Sequence, residues 1–206
     1  MRAVRLSALF AGVMLCAAGA FAADPAPVHL KGQITSVASS SFDMTSSTGD
    51  VQVEWNAKTR IASLEPAKLA DLTQGMFVST AAIPEPDGSL KAVEVHIFPE
   101  ELRGTGEGFR PFPQLPQGTM TNATVTDIVG TQGSVSDDDL TLTLKYKDGE
   151  KKVRVPKGTP IVLLGAGDAS LLKPQAKVSV TGAKDGSGKL VATRILVGLD
   201  GITPPM

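Results

Sequence analysis

The chain has 206 residues, with 20 Lys and Arg against 21 Asp and Glu, and only 4% of its residues are aromatic. That near-neutral balance gives no general attraction to nucleic acid or to anionic lipid. With one cysteine and two histidines, it excludes a disulfide framework and a thiolate metal cluster.

The first residues predict an export signal over 1–22. Arg2 and Arg5 form a basic start, Leu6 to Ala20 is apolar, and Ala20-Phe21-Ala22 is a small-x-small cleavage site. Cleavage after Ala22 removes Cys16, so the mature chain holds no cysteine nucleophile. Leu15 stands before Cys16, where a lipoprotein signal needs a small residue. The mature chain keeps about 184 residues and a net charge of about −3, because Arg2 and Arg5 leave with the signal. No later segment is apolar enough to cross a membrane as a helix. The expectation is a periplasmic or secreted Gram-negative protein, with no membrane insertion after cleavage and no nucleic-acid partner.

After a Pro-rich start, His29 to Val37 reads as a strand, followed by alternation at Phe42 and Met44 and again at Val51, Val53 and Trp55. Thr59 to Ile61 reads as a short extended piece. Pro66 to Leu72 is the place for a helical turn, with Leu69 and Leu72 on one face. Met76 to Ala82 and Lys91 to Phe98 complete the module, around the turn at Asp87-Gly88. Residues 99–119 form a Gly/Pro-rich connecting loop, longer than an ordinary connection. Phe109, Phe112 and Leu115 point to a loop packed on the protein rather than a free tether. From Met120 the order recurs: Ala123, Val125 and Ile128, then Leu140, Leu142 and Leu144, a hairpin at Asp148-Gly149, and strands to Val197. Residues 199–206 form a tail.

The recurrence is in register. Thr59, Ile61, Leu64, Leu72, Val78, Ser79, Leu90 and Ala92 stand one hundred residues before Thr159, Ile161, Leu164, Leu172, Val178, Ser179, Leu190 and Ala192. Two copies of one small module follow from this. Short antiparallel strands need closure to hide their edges. The predicted class is therefore all-β: two tandem five-stranded OB-like barrels, over 28–98 and 120–198, joined by the 99–119 loop. A β-sandwich half fits the same pattern.

The repeated Gly-x-Ile, Thr-x-Ile, Leu-x-x-Gly and Gly-x-Leu-x-Ala-x-x-Val pattern resembles a family of exported bacterial domains of unknown function. The segment from Glu94 to Thr124 is similar to the signature of a two-module subgroup, some of whose members carry a metal-transporter permease label. The resemblance implies small β-modules in an exported compartment and supplies no activity. Without membrane-spanning helices, the metal link it implies is that of a periplasmic accessory. Gln175 stands where the first module has Gly75, a departure from the pattern.

Two groups of residues carry candidate chemistry. Arg103, Gly104, Thr105, Gly106, Glu107, Gly108 and Arg110 form a glycine-rich stretch flanked by arginines, the composition of a ligand-binding loop or an anion nest. Prolines follow it, so the helix that a nucleotide loop needs does not begin there. Glu94 and His96, two apart on a strand, share a face. With Glu100 they form the candidate set for a divalent transition metal, and His29 joins it if the first and last strands are neighbours. With two histidines and no Gly-x-Ser-x-Gly, a nucleophilic triad has no support. The reading is an exported non-catalytic binding or interaction module, with no required cofactor, for a protein or small ligand. A metal-handling accessory is the alternative, and a hydrolase without a recognisable motif the residual.

Overall fold

The computed structural model describes residues 27–130 and 139–205, so the predicted signal at 1–22 and most of the loop after Gly130 lie outside it. The first repeat supplies β1 (Val28–Val37), β2 (Ser41–Ser46), β3 (Gly49–Glu54), β4 (Arg60–Ala67), β5 (Phe77–Pro84) and β6 (Leu90–Ile97). The connecting loop contributes β7 (Gly108–Pro111). The second repeat supplies β8 (Thr119–Gly130), β9 (Leu140–Tyr146), β10 (Gly149–Val155), β11 (Ile161–Ala166), β12 (Lys177–Lys184) and β13 (Leu190–Gly198). The predicted helical turn is a single 3-10 turn at Leu69–Asp71. Pro66 belongs instead to β4, opposite Val162. A residue before proline favours extended backbone, and the alternation of β4 carries through it.

The protein is all-β, and its strands pair in two five-membered rings. One ring runs β8-β9-β10-β6-β5 and back to β8; the other runs β1-β2-β3-β13-β12 and back to β1. Both have the OB-like order, with a parallel pairing between the third and fifth strands. The repeats are tandem in sequence, but the rings are not divided at the loop. Repeat 28–98 gives three strands to one ring and two to the other, and repeat 120–198 does the same. The ring formed from 77–155 (ring A) is contiguous in sequence; the other (ring B) combines 28–54 with 177–198, the segments that flank it in sequence.

The cores follow the rings. Val78, Val95 and Ile97 pack with Val125, Leu142, Leu144 and Val153 in ring A. Ile34, Phe42, Met44 and Val53 pack with Val178, Val180 and Ile195 in ring B. The crossing strands β4 and β11 pair antiparallel between β13 and β6. Their register centres on Leu64 opposite Leu164, equivalent positions of the two repeats, so a local two-fold axis passes through that pair. Leu64 and Leu164 lie in a third cluster with Val162 and Leu196, against which Phe98, Leu102 and Ile202 pack.

Each ring closes through a parallel pairing of only two residues, and each closure has an ion pair beside it. In ring A, Arg154 on β10 holds Glu85 at 2.6 Å and Asp139 at 2.9 Å. In ring B the signs are reversed: Glu54 on β3 meets Lys189 at 2.6 Å. The Arg154 hydrogen bonds lower the pKa of Glu85, and hydrogen bonds from the Lys157 backbone and Arg154 lower that of Asp139. One close approach fixes the bend of β1: a Cβ on Gly32 would sit 2.1 Å from the Thr45 carbonyl oxygen. Gly75 and Gln175 both take left-handed backbone, at φ 92° and 72°. The second repeat thus keeps the conformation without the glycine.

The nested arrangement predicts that a fragment spanning Phe77 to Val155 gives a cooperative thermal melt, whereas a fragment spanning residues 28–98 does not. The opposite result by circular dichroism would contradict the strand pairing. Replacing Gln175 by Gly is expected to stabilise the protein by about 1 kcal/mol, the strain of a left-handed non-glycine residue, measured by urea unfolding. A depressed carboxylate contributes stability that is complete above its ordinary pKa, 4.5 for Glu85 and 3.8 for Asp139. That contribution disappears as pH falls through the lowered folded-state values. In Arg154→Met the corresponding part of the acid-induced loss should be absent from a stability–pH profile.

Candidate functional site

A register shift at Val93 changes the phase of β6: Leu90 and Ala92 enter the ring A core before it, and Val95 and Ile97 after it. Glu94 and His96, on the C-terminal side of that shift, therefore face outward on the same side. Outward here does not mean solvent: Glu94 is 2% exposed and His96 7%. His96 Nε2 lies 3.4 Å from Glu94 Oε1. Neither His96 Nε2 nor Glu94 Oε2 makes a hydrogen bond among the described residues. The same face continues across β5 and β8, where Ser79 is opposite His96 and Asn122 is opposite Ser79. From ring B, Arg194 is within electrostatic reach of Glu94, standing opposite Arg60. Desolvation pulls the Arg194 pKa down and the Glu94 charge opposes that.

The structure therefore brings together Glu94 and His96 of the candidate metal set and places Glu100 elsewhere. Glu100 is an exposed carboxylate bound by Arg103 through Nε and Nη2, the latter at 2.7 Å. Hydrogen bonding from Arg103 lowers its pKa. His29 sits on β1 of ring B, 3.0 Å from Thr181 Oγ1 and 3.0 Å from Gln114 Nε2. Among the described residues, no group of three or more His, Cys, Asp or Glu side chains is placed to hold a metal.

The glycine-rich stretch is ordered against ring A, and its polar groups are largely engaged within the chain. Arg103 Nη2 donates to the Gly75 carbonyl at 2.9 Å. Thr105 accepts from Asn122 Nδ2 at 2.9 Å through its carbonyl. Glu107 Oε1 accepts from the Lys147 backbone at 3.0 Å, and Arg110 Nη1 donates to the Gly106 carbonyl at 2.8 Å. Gly104, Gly106 and Gly108 have φ of 81°, 59° and 130°, so the glycines serve a backbone path that other residues rarely follow. That path delivers Gly108–Pro111 to the edge of β8, where the four residues pair with Thr119–Asn122.

A concave feature lies on ring B. It has a volume of about 560 Å³ and a floor of Val28, Leu30, Val51 and Leu190, with Lys184, Lys189, Asp50 and Gln52 among its polar walls. The groove exists because β2 is short. β1 begins pairing with β2 only at Gly32, so Val28–Lys31 pairs with β12 on one side alone. Among the described residues, no strand pairs with the other edge. None of these groove residues was read as a functional residue from the sequence, since each fits an ordinary strand or turn position, Val51 and Leu190 among them. The one available signal was that β1 is longer than the strand it pairs with.

Two all-β rings of OB-like order, with a buried Glu–His pair on one and an open groove on the other, define a small β-module protein. A family model described as Domain of unknown function (DUF5666) matches residues 31–96 and again 130–195. The chain belongs to that family. No curated protein and no solved structure matches it. Among the described residues, no helix is long and apolar enough to cross a membrane.

Removing one member of a buried polar pair leaves the other unmatched, at a cost of about 1–3 kcal/mol. Glu94→Ala is expected to destabilise by roughly that amount in urea, and by much less when His96→Ala is already present. Additive effects in this double-mutant cycle would show that the two side chains do not act as a pair.

Proposed function

We propose that the protein is an exported, non-catalytic binding module whose ligand lodges in the groove of ring B. The observation that carries this reading is the groove itself: an apolar floor ringed by a few polar side chains, the usual make-up of a binding site. The polar groups of the glycine-rich loop support a scaffold role for that segment, since they hold it against ring A. The predicted signal segment and the mature acidic balance support a periplasmic or secreted setting, where the module meets a protein or small ligand.

The test is a photo-crosslinking amino acid at Gln52, on the groove wall, in cells producing the protein from its own promoter. An adduct of defined mass should form there, and none at Lys152, the corresponding strand position of ring A. If position 52 gives no adduct under conditions in which the protein is folded and exported, the groove is not a ligand site.

A further inference from the structure

The two rings can be compared residue by residue, and one difference bears on the groove. On ring A, Thr119–Asn122 of β8 pairs with β5 in the register Thr119↔Ala82 to Asn122↔Ser79. On ring B, Val28–Lys31 of β1 pairs with β12 in the equivalent register, Val28↔Gly182 to Lys31↔Ser179. Thr119–Asn122 is therefore the counterpart of Val28–Lys31. Its other edge is covered by β7, antiparallel, with Phe109 opposite Thr121 and Pro111 opposite Thr119. The rest of that segment bridges the gap to the third strand. The Phe109 ring lies 4.6 Å from Lys151 Nζ of β10, and Glu107 takes the backbone N–H of Lys147 in the β9–β10 turn. The groove of ring B lies between the corresponding elements: the first half of β1, strand β3 and the β2–β3 turn.

The paths leading to the two places also correspond. On ring A, the chain leaves β6 and passes Asn122, whose side chain donates to the Thr105 carbonyl. On ring B, the chain leaves β13 and passes Lys31, whose ammonium donates to the Pro205 carbonyl. The approach is conserved between the rings, and the strand that follows it on ring A has no counterpart among the described residues of ring B.

We propose that this groove binds an extended peptide of a partner protein, which adds to the free edge of Val28–Lys31 as an antiparallel strand in the place that β7 takes on ring A. The proposal rests on the binding-module reading and specifies its ligand. Main-chain hydrogen bonds to a free edge supply affinity, and pockets for alternate side chains supply selectivity. The floor indicates the side chain preferred. Leu30 and Val51 stand where ring A has Thr121 and Lys151, so the residue opposite Leu30 is apolar or aromatic and is held more by burial than Phe109 is. The charge of the wall indicates the rest. Lys184 lies beyond the Val28 end of the edge, on the strand whose Gly182 pairs with Val28. Its ammonium has no acidic partner among the described residues, so an acidic group on the peptide fits two positions after the residue that pairs with Val28.

The probe is a labelled peptide copying Gly106–Pro113 of this chain, the segment already seated on the equivalent edge, together with its P113D form. Fluorescence anisotropy with the mature full-length protein should show saturable binding, stronger for the P113D peptide by up to about fivefold, the upper range for an exposed ion pair. That gain should vanish in Lys184→Ser. Val51→Glu on the floor and Thr48→Trp at the exposed turn should each weaken binding at least about tenfold, whereas Lys151→Glu on ring A should not. Unchanged thermal melts establish that the variants are folded, and Thr48→Trp keeps the test decisive if Val51→Glu is not. No saturable binding to wild-type protein, or equal binding in both groove variants, overturns the proposal. So does a concentration-dependent dimer in sedimentation that disappears in both groove variants, since the occupant is then a second copy. If adducts still form at position 52 while both peptides fail, the groove binds something other than a peptide strand and only the present proposal falls.

Discussion

The antiparallel pairing of β4 with β11 is the constraint on which the rest depends. It places Leu64 against Leu164, and in doing so sends the chain from ring B to ring A and back again. Without that crossing, each repeat would close on its own strands. With it, the first three strands of one repeat are completed by the last two of the other. The apolar cluster around the pair is shielded by Leu102 of the loop and Ile202 of the tail, so both segments that follow a fifth strand pack onto the same junction.

This exchange changes what the connecting loop does. In a simple tandem of barrels, 99–119 would span two bodies. Here it joins β6 to β8 within a single ring, and β5 pairs with both. The loop folds back as a short strand on β8, held by Arg103, Asn122 and Glu107. Its glycines follow a left-handed backbone path, and its arginines, which in sequence resemble ligand-binding equipment, donate to backbone carbonyls of the chain. At the corresponding place on ring B, no strand among the described residues pairs with the edge of Val28–Lys31, an asymmetry between the two related rings.

The buried Glu94–His96 pair shows a different consequence of the same architecture. An isolated strand with this alternation would show both side chains to water. Pairing of β6 with β11, together with the packing of the junction, buries them instead, and Arg194 arrives from the other ring. A buried polar pair is weak evidence for added stability, because desolvation opposes the attraction. It is good evidence that removing a single partner would be costly.

Much of the fold was legible in the sequence. Alternation at Val51, Val53 and Trp55 or at Leu140, Leu142 and Leu144 depends only on the two-residue period of a strand with one buried face. The in-register recurrence showed two modules of the same kind. The Glu94–His96 pairing was legible too, because residues two apart on a strand share a face. What sequence could not determine was which copy each strand would pair with. The repeats offer nearly identical edges and nearly identical apolar faces, so local pattern is degenerate between closing within a repeat and closing across repeats. The choice rests on long-range pairings such as Leu64 with Leu164, which no local window contains. The groove follows the same logic: Val28 and Leu30 look like any half-buried strand residues, and only the three-dimensional comparison with β8, already covered by β7, reveals that no strand among the described residues covers that edge of β1.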